Sequence, residues 1–229
     1  MLDWGFLGTV PYARAVAIQE KVRQAIREGA GDGALLFLEH PHVYTLGRSA
    51  ARGDVLLDEE ALAAGGVTVE ESDRGGQVTY HGPGQLVGYP VIDLNPDRRD
   101  IRQYVSELGL VLVRTLAVYG VEAESRTKQP WTGVWVDSRK IASIGVHLSR
   151  WVATHGFALN VTTDLAFFRN IVPCGLPDIE MTSLADLTGR RPPLGEVAEV
   201  CAGIFAEVFA RQLAPLPEGI AEASWVTSS

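Results

Sequence analysis

The chain has 229 residues, 46% of them hydrophobic and 21% charged, enough to bury one sizeable core and too apolar for a disordered chain. Its 20 basic and 28 acidic residues give a net charge of −8, which argues against a nucleic acid as the main partner. No apolar run is long enough to span a bilayer and no signal sequence opens the chain, so a cytoplasmic location without a membrane partner is expected. Two cysteines, Cys174 and Cys201, build no disulfide framework and match no zinc spacing, so no metal is expected.

The spacing of Ala15, Ile18, Val22, Ala25 and Ile26 predicts a first helix over Pro11–Glu28, with Pro11 in its first turn and Gly29 at its end. Ala34–Glu39 reads as a buried strand stopped by Pro41, and Val43–Leu46 resumes extended structure. His40 and His42 flank Pro41, but no third ligand is implied, so they read as polar tips of a strand end. A short helix is expected within Asp54–Gly66, then a strand over Val67–Glu70.

Arg74-Gly75-Gly76-Gln77-Val78-Thr79-Tyr80-His81-Gly82-Pro83-Gly84-Gln85 follows, read as a loop held between two strands. Glycine permits positive φ and close approach of a ligand to the main chain, which makes this stretch a candidate pocket wall. It lies between strands and lacks the lysine of a nucleotide loop, so it does not read as a phosphate cradle.

Leu86–Leu94 reads as a strand, with Pro90 suggesting an edge or a bulge. Ile101, Tyr104, Val105, Leu108, Leu112, Leu116 and Tyr119 form one face of a helix over Asp100–Tyr119. Val134–Val136, Lys140–Leu148 and Val152–Val161 then alternate as an antiparallel meander, and Gly145 and Gly156 in adjacent strands suggest a shared face near a ligand. Thr182 or Ser183 caps a short helix ending at Leu187, and a last helix runs over Gly195–Arg211. One domain over residues 1–229 is expected, with the tail beyond about 215 peripheral and Trp225 adding a little packing.

Cys201 falls on the apolar stripe of the last helix and reads as a small hydrophobe. Cys174 stands between Pro173 and Gly175 in a segment without periodicity, a setting suited to an exposed thiol. At an ordinary pKa of about 8.5 only a few per cent of a thiol is thiolate near neutral pH, so it needs an activating partner. Of three lysines (Lys21, Lys128, Lys140), Lys140 opens a strand and is the one best placed to enter a pocket. His81, and more weakly His155, are competing partners, and spacing alone leaves the choice open.

The glycine stretch from Arg74, the run Arg139-Lys140-Ile141-Ala142-Ser143-Ile144-Gly145 and Pro173-Cys174-Gly175 occur in an order that resembles the lipoyl(octanoyl) transferase family. The likeness runs from Glu39-His40-Pro41 and Tyr44–Gly47 to about Thr188. It implies an α+β fold similar to the catalytic domain of biotin and lipoate ligases, with a mixed sheet, a smaller antiparallel sheet and flanking helices. It also implies that octanoate passes from octanoyl-acyl carrier protein to Cys174 as a thioester, then to a lysine of a lipoyl domain. The acceptors it implies are the 2-oxoacid dehydrogenases and the glycine cleavage H protein. Lys140 would assist Cys174 and the acceptor amine. Arg74, Gly75, Gly76, Gln77, Val78, Thr79, Tyr80, His81, Ser143, Ile144, Gly145, Gly156, Phe157 and Ala158 would line the acyl pocket.

No cofactor is expected, because thioester exchange is nearly isoenergetic and aminolysis of a thioester runs downhill. The acceptor lysine, at an ordinary pKa near 10.4, is only about 0.1% neutral at physiological pH and needs a base. Carrier proteins and lipoyl domains are usually acidic, so Arg98, Arg99, Arg102, Arg139 and Arg150 are candidates for a local docking cluster. The rival readings are an ATP-dependent lipoate or biotin ligase, which does not need the cysteine, a carrier-protein binding module, and a Cys/His hydrolase.

Overall fold

The computed structural model describes residues 1–95, 97–172 and 179–217. An eight-stranded sheet crosses the molecule in the order β11-β1-β2-β6-β10-β9-β8-β7. Its members are β1 (Leu2–Thr9), β2 (Gly33–Glu39), β6 (Gln85–Asp93), β7 (Glu124–Arg126), β8 (Gly133–Val136), β9 (Arg139–Ser149), β10 (Val152–Asn160) and β11 (Leu213–Pro215). β1 pairs in parallel with β2 and β11, and every other pair is antiparallel.

The predicted strands and helices are present within a residue or two of their expected ends, the two short helices being α2 (Glu59–Ala64) and α4 (Leu184–Thr188). Alternation in β2 shows why the core has two faces. Leu35 and Phe37 pack with α3 (Ile101–Val118) and α5 (Leu194–Phe209), whereas Ala34, Leu36 and Leu38 pack with Ala15 and Ile18 of α1 (Tyr12–Arg27). The Asp100 carboxylate caps α3 by accepting from Arg102 N–H at 2.8 Å. Gly109 of the same helix lies against Ser125, so β7 reaches a helix surface that a side chain would block. Ile101, counted in the α3 stripe, is 47% exposed, because it sits in the first turn beyond the edge of the core.

Several expectations change. β1, β7 and β11 went unassigned from sequence: each is short, or broken by Gly5, Gly8 and Asp3, and carries no clean alternation. The smaller sheet is mixed instead of antiparallel: β3 (Val43–Leu46) pairs in parallel with β4 (Thr68–Glu71) and antiparallel with β5 (Val78–His81). The glycine stretch is therefore not all loop, since its second half is β5. Residues 213–215 join the sheet edge, and Leu216 N–H donates to Trp4 O at 2.8 Å. Trp225 lies outside the described residues.

Pro90 occupies neither an edge nor a register shift. It lies inside β6, in a ladder to β10 that is intact at Ala153↔Ile92 and at Phe157↔Gly88. The same register places His155 opposite Pro90, which has no N–H to give. His155 takes φ +57°, and its own N–H donates to Gln19 Oε1 of α1 at 2.7 Å. The fault is thus satisfied from a helix and moves no strand.

Candidate active site

A cavity lies on the α1 side of the large sheet, between β6, β10 and β9 below and the glycine stretch above. Side-chain parity decides what its floor is made of. Val146 of β9 and Ala153, Phe157 and Leu159 of β10 face the α3 core, so Ser143, Gly145, Gly156 and Ala158 face the cavity. These four are cross-strand partners, Ser143↔Ala158 and Gly145↔Gly156, and together make a trough of small residues across two strands. Ile144 and Phe157, expected to line the pocket, border it from the backbone. The Ile144 side chain approaches Gly109 of α3, and the Phe157 ring covers Gly88 beside Phe37.

The roof lies close to this floor because both sides are glycine. Gly75 N–H donates to Val146 O at 2.9 Å, and a Cβ on Gly145 would stand 3.1 Å from Gly75 O. Arg74 is 8% exposed and turns away from solvent, with Nη2 donating to both Thr45 O and Thr45 Oγ1 at 2.8 Å. Arg74, Gly75, Gly76, Gln77, Val78, Thr79 and His81 all border the cavity. Tyr80 does not. It stacks on Phe167 at 4.9 Å and meets His42 Nδ1 at 2.7 Å, packing the far face of the small sheet.

Lys140 stands at one end, 2% exposed, with Nζ 5.6 Å from the centre of the Trp135 ring, a cation–π distance. Two groups fix it. Gly133, at φ +145°, leaves room for the lysine stem, since a Cβ there would lie 2.5 Å from Lys140 Cε and 3.3 Å from Nζ. The Lys140 N–H donates to Glu180 O at 2.8 Å and its carbonyl accepts from Thr182 N–H at 2.9 Å. Cys174 falls in 173–178, outside the described residues. The flanks of that segment are fixed: Val172 N–H donates to Asp54 O at 2.9 Å, and residues 180–182 clasp Lys140.

The other end is closed by Tyr12, Tyr89, His81 and His155. The Val10 carbonyl can only accept, so His40 carries its proton on Nδ1 and donates it there at 2.6 Å, while its Nε2 accepts from the Tyr89 hydroxyl at 2.8 Å. Burial lowers the His40 pKa to about 4, which keeps it neutral. Gln85 donates its amide to Tyr80 O and Asn160 Oδ1, so its oxygen accepts from His81 Nδ1–H at 2.7 Å. Burial, with help from His40 and Arg74, pushes the His81 pKa well down, so its Nε2 is an unprotonated acceptor. The left-handed turn at His155 swings its ring out of strand parity towards Asp73, whose oxygens lie 2.7 Å from His155 Nε2 and 3.5 Å from His147 Nε2.

Sequence reasoning missed Tyr12, Tyr89, Gln129, Pro130, Thr132, Phe168 and Met181, which complete the lining. Only Tyr89, beside the strand proline, carried a local signal. The arginines do not form one cluster: Arg139 and Arg150 lie at opposite ends of β9, and Arg98 is paired with Glu107 at 3.0 Å. Among the described residues, no three His, Cys, Asp or Glu are placed to hold a metal ion. No helix there is long and apolar enough to cross a membrane.

The large mixed sheet, the smaller sheet and the flanking helices make up the lipoate and biotin protein ligase fold. A solved lipoate-protein ligase A bound with ATP superposes with a TM-score of 0.76 at 18% identity, covering 97% of this chain and 92% of that one. Biotin protein ligase from Aquifex aeolicus in complex with biotin and ATP gives 0.57 at 15%, over 92% and 71%. Residues 11–206 match the lipoyl protein ligase A/B catalytic domain, and the chain belongs to that family. Among its relatives, the octanoyltransferase of Solibacter usitatus is 49% identical over 209 residues, 91% of this chain and 93% of the relative. That of Geobacter metallireducens is 48% identical over 199 residues, 87% and 89%.

Proposed function

We propose that this chain moves an octanoyl group from the thioester of an acyl carrier protein to the ε-amine of a lysine on a lipoyl domain, with Cys174 carrying the acyl group between them. The observation that supports this most is the buried Lys140 at the head of a trough floored by small residues, in a chain 49% identical to an octanoyltransferase. Acceptors of this kind are the lipoyl domains of 2-oxoacid dehydrogenases and the glycine cleavage H protein.

In the first step the Cys174 thiolate attacks the donor carbonyl. A carbon–sulfur bond forms to Cys174, the bond to the carrier sulfur breaks, and the carrier thiolate leaves. In the second step the acceptor amine attacks the new thioester, forming the amide and releasing the Cys174 thiolate, while the amine gives up its protons. As a cation, Lys140 stabilises the Cys174 thiolate. As a neutral amine, it is the base that takes the acceptor's proton, so proton exchange between the pair belongs to the cycle. The reaction exchanges one activated acyl bond for a more stable one and draws on no ATP.

Intact mass after incubation with octanoyl-acyl carrier protein tests this. An octanoyl adduct is expected on wild type and Cys201→Ser and not on Cys174→Ser. An adduct that survives Cys174→Ser rejects the covalent route. Transfer of free octanoate that starts only when ATP is added rejects it in favour of a ligase.

A further inference from the structure

The trough has a stop. It crosses β9 at Ser143 and Gly145, and β10 at Ala158 and Gly156. On β6 the register places Tyr89 beside Gly156, so a phenol follows two positions without side chains. We propose that Tyr89 is the residue that sets the longest acyl chain this cavity takes, an inference that rests on the acyl-transfer reading above.

Strand spacing gives the scale. Lys140 Nζ lies against Gly133 of β8, and Tyr89 stands on β6, three strand intervals away and two residues along from Val87, which the register sets opposite Gly133. At about 4.8 Å per interval and about 3.4 Å per residue this is roughly 16 Å. Seven carbon–carbon bonds of about 1.5 Å, zigzagged, extend an octanoyl chain to about 9 Å. The remainder accommodates the sulfur and the van der Waals radii at both ends. Eight carbons therefore reach the phenol, and each further pair adds about 2.5 Å that the wall must yield.

The wall is braced against yielding. The Tyr89 hydroxyl donates to His40, His40 donates to the Val10 carbonyl, and the ring stands edge-on to His155 at 6.0 Å. Tyr89 itself is 3% exposed and packs with Leu36, Leu38 and Val87, so no rotamer change opens the end. The hydroxyl is taken up behind the wall, which leaves the ring as the surface an acyl tail meets.

The experiment follows Cys174 adduct formation by intact mass with octanoyl-, decanoyl-, dodecanoyl- and tetradecanoyl-acyl carrier protein. Wild type is expected to slow at least tenfold between octanoyl and dodecanoyl. Tyr89→Ala is expected to move that fall by two or more carbons, whereas Tyr89→Phe, which keeps the ring, leaves it in place. A Tyr89→Ala protein that still accepts octanoyl but keeps the wild-type profile overturns the inference. Should that variant not fold, Tyr89→Leu replaces it, and a wild-type profile that stays flat to tetradecanoyl overturns the inference without any variant. Absence of an octanoyl adduct in wild type is a different failure, that of the acyl-transfer reading.

Discussion

The Asp73 carboxylate and the His155 imidazole meet at 2.7 Å, tying the root of the glycine stretch to the centre of the large sheet. The roof is thus held from two sides, by Asp73 on β10 and by Arg74 on Thr45 of the small sheet. Asp73→Asn keeps the shape and removes the charge. Because the Asp73 side chain is half exposed, a stability loss of about 1 kcal/mol in urea denaturation is expected. The sharper expectation is kinetic: a several-fold higher KM for the acyl donor with a smaller change in kcat. Equal loss in both would mean that the pair does not position the roof.

Acid should weaken the fold in two windows. The His40 pKa is lowered by burial from an ordinary 6.5 to about 4. Between those values the unfolded chain binds a proton that the folded chain refuses, so stability is complete above pH 6.5 and falls as pH drops towards 4. A shift of that size is worth up to about 3 kcal/mol. The Asp73 pKa is lowered to about 2, first by its hydrogen bond to His155, so its contribution is present above pH 3.8 and is lost on approach to pH 2. Urea midpoints at pH 7 and pH 4.5 should differ markedly in wild type and less in His40→Gln. An unchanged difference would show that His40 is not the group responsible.

Gly133→Ala should disable Lys140 while leaving that residue unsubstituted. The new methyl would meet Lys140 Cε at 2.5 Å in a backbone at φ +145°. Strain of about 1–3 kcal/mol is expected, with near-complete loss of transfer. Gly120→Ala is the control: it sits at φ +79° with nothing near its Cβ, so it should lose stability and keep activity. Equal loss of activity in both would put the effect down to stability alone.

Thiol reactivity should separate the two cysteines. Cys201 is fully buried, and burial pushes its pKa up to about 12, so iodoacetamide at pH 8 should leave it unmodified until the protein unfolds. Cys174 should react in the native state, and Lys140→Ala should move its alkylation profile to higher pH. An unmoved profile would remove Lys140 as its partner.

Much of the fold was legible because helices such as α3 and strands such as β9 and β10 bury one stripe or one face and repeat it. The trough was half legible: Gly145 and Gly156 stood out as glycines in strands, but only the register shows that they are partners. Ile144 and Phe157 were chosen with their neighbours as a block, and strand parity sends them into the opposite core. Tyr80 was chosen with the same kind of block, and its ring on β5 packs against Phe167 and not against the cavity. Tyr12, Gln129 and Met181 reach the cavity from distant parts of the chain, and no local pattern encodes such a meeting.

The clasp of residues 180–182 on Lys140 sets an order on synthesis. The hydrogen bonds that fix Lys140 come from partners some forty residues downstream, and the edge strand beyond β1 comes from 213–215. On a ribosome adding about 5–20 residues per second, the meander emerges well before either. A nascent chain therefore carries the lysine before it carries the support that holds it, and a fragment ending before residue 180 should hold Lys140 unclasped and transfer no acyl group.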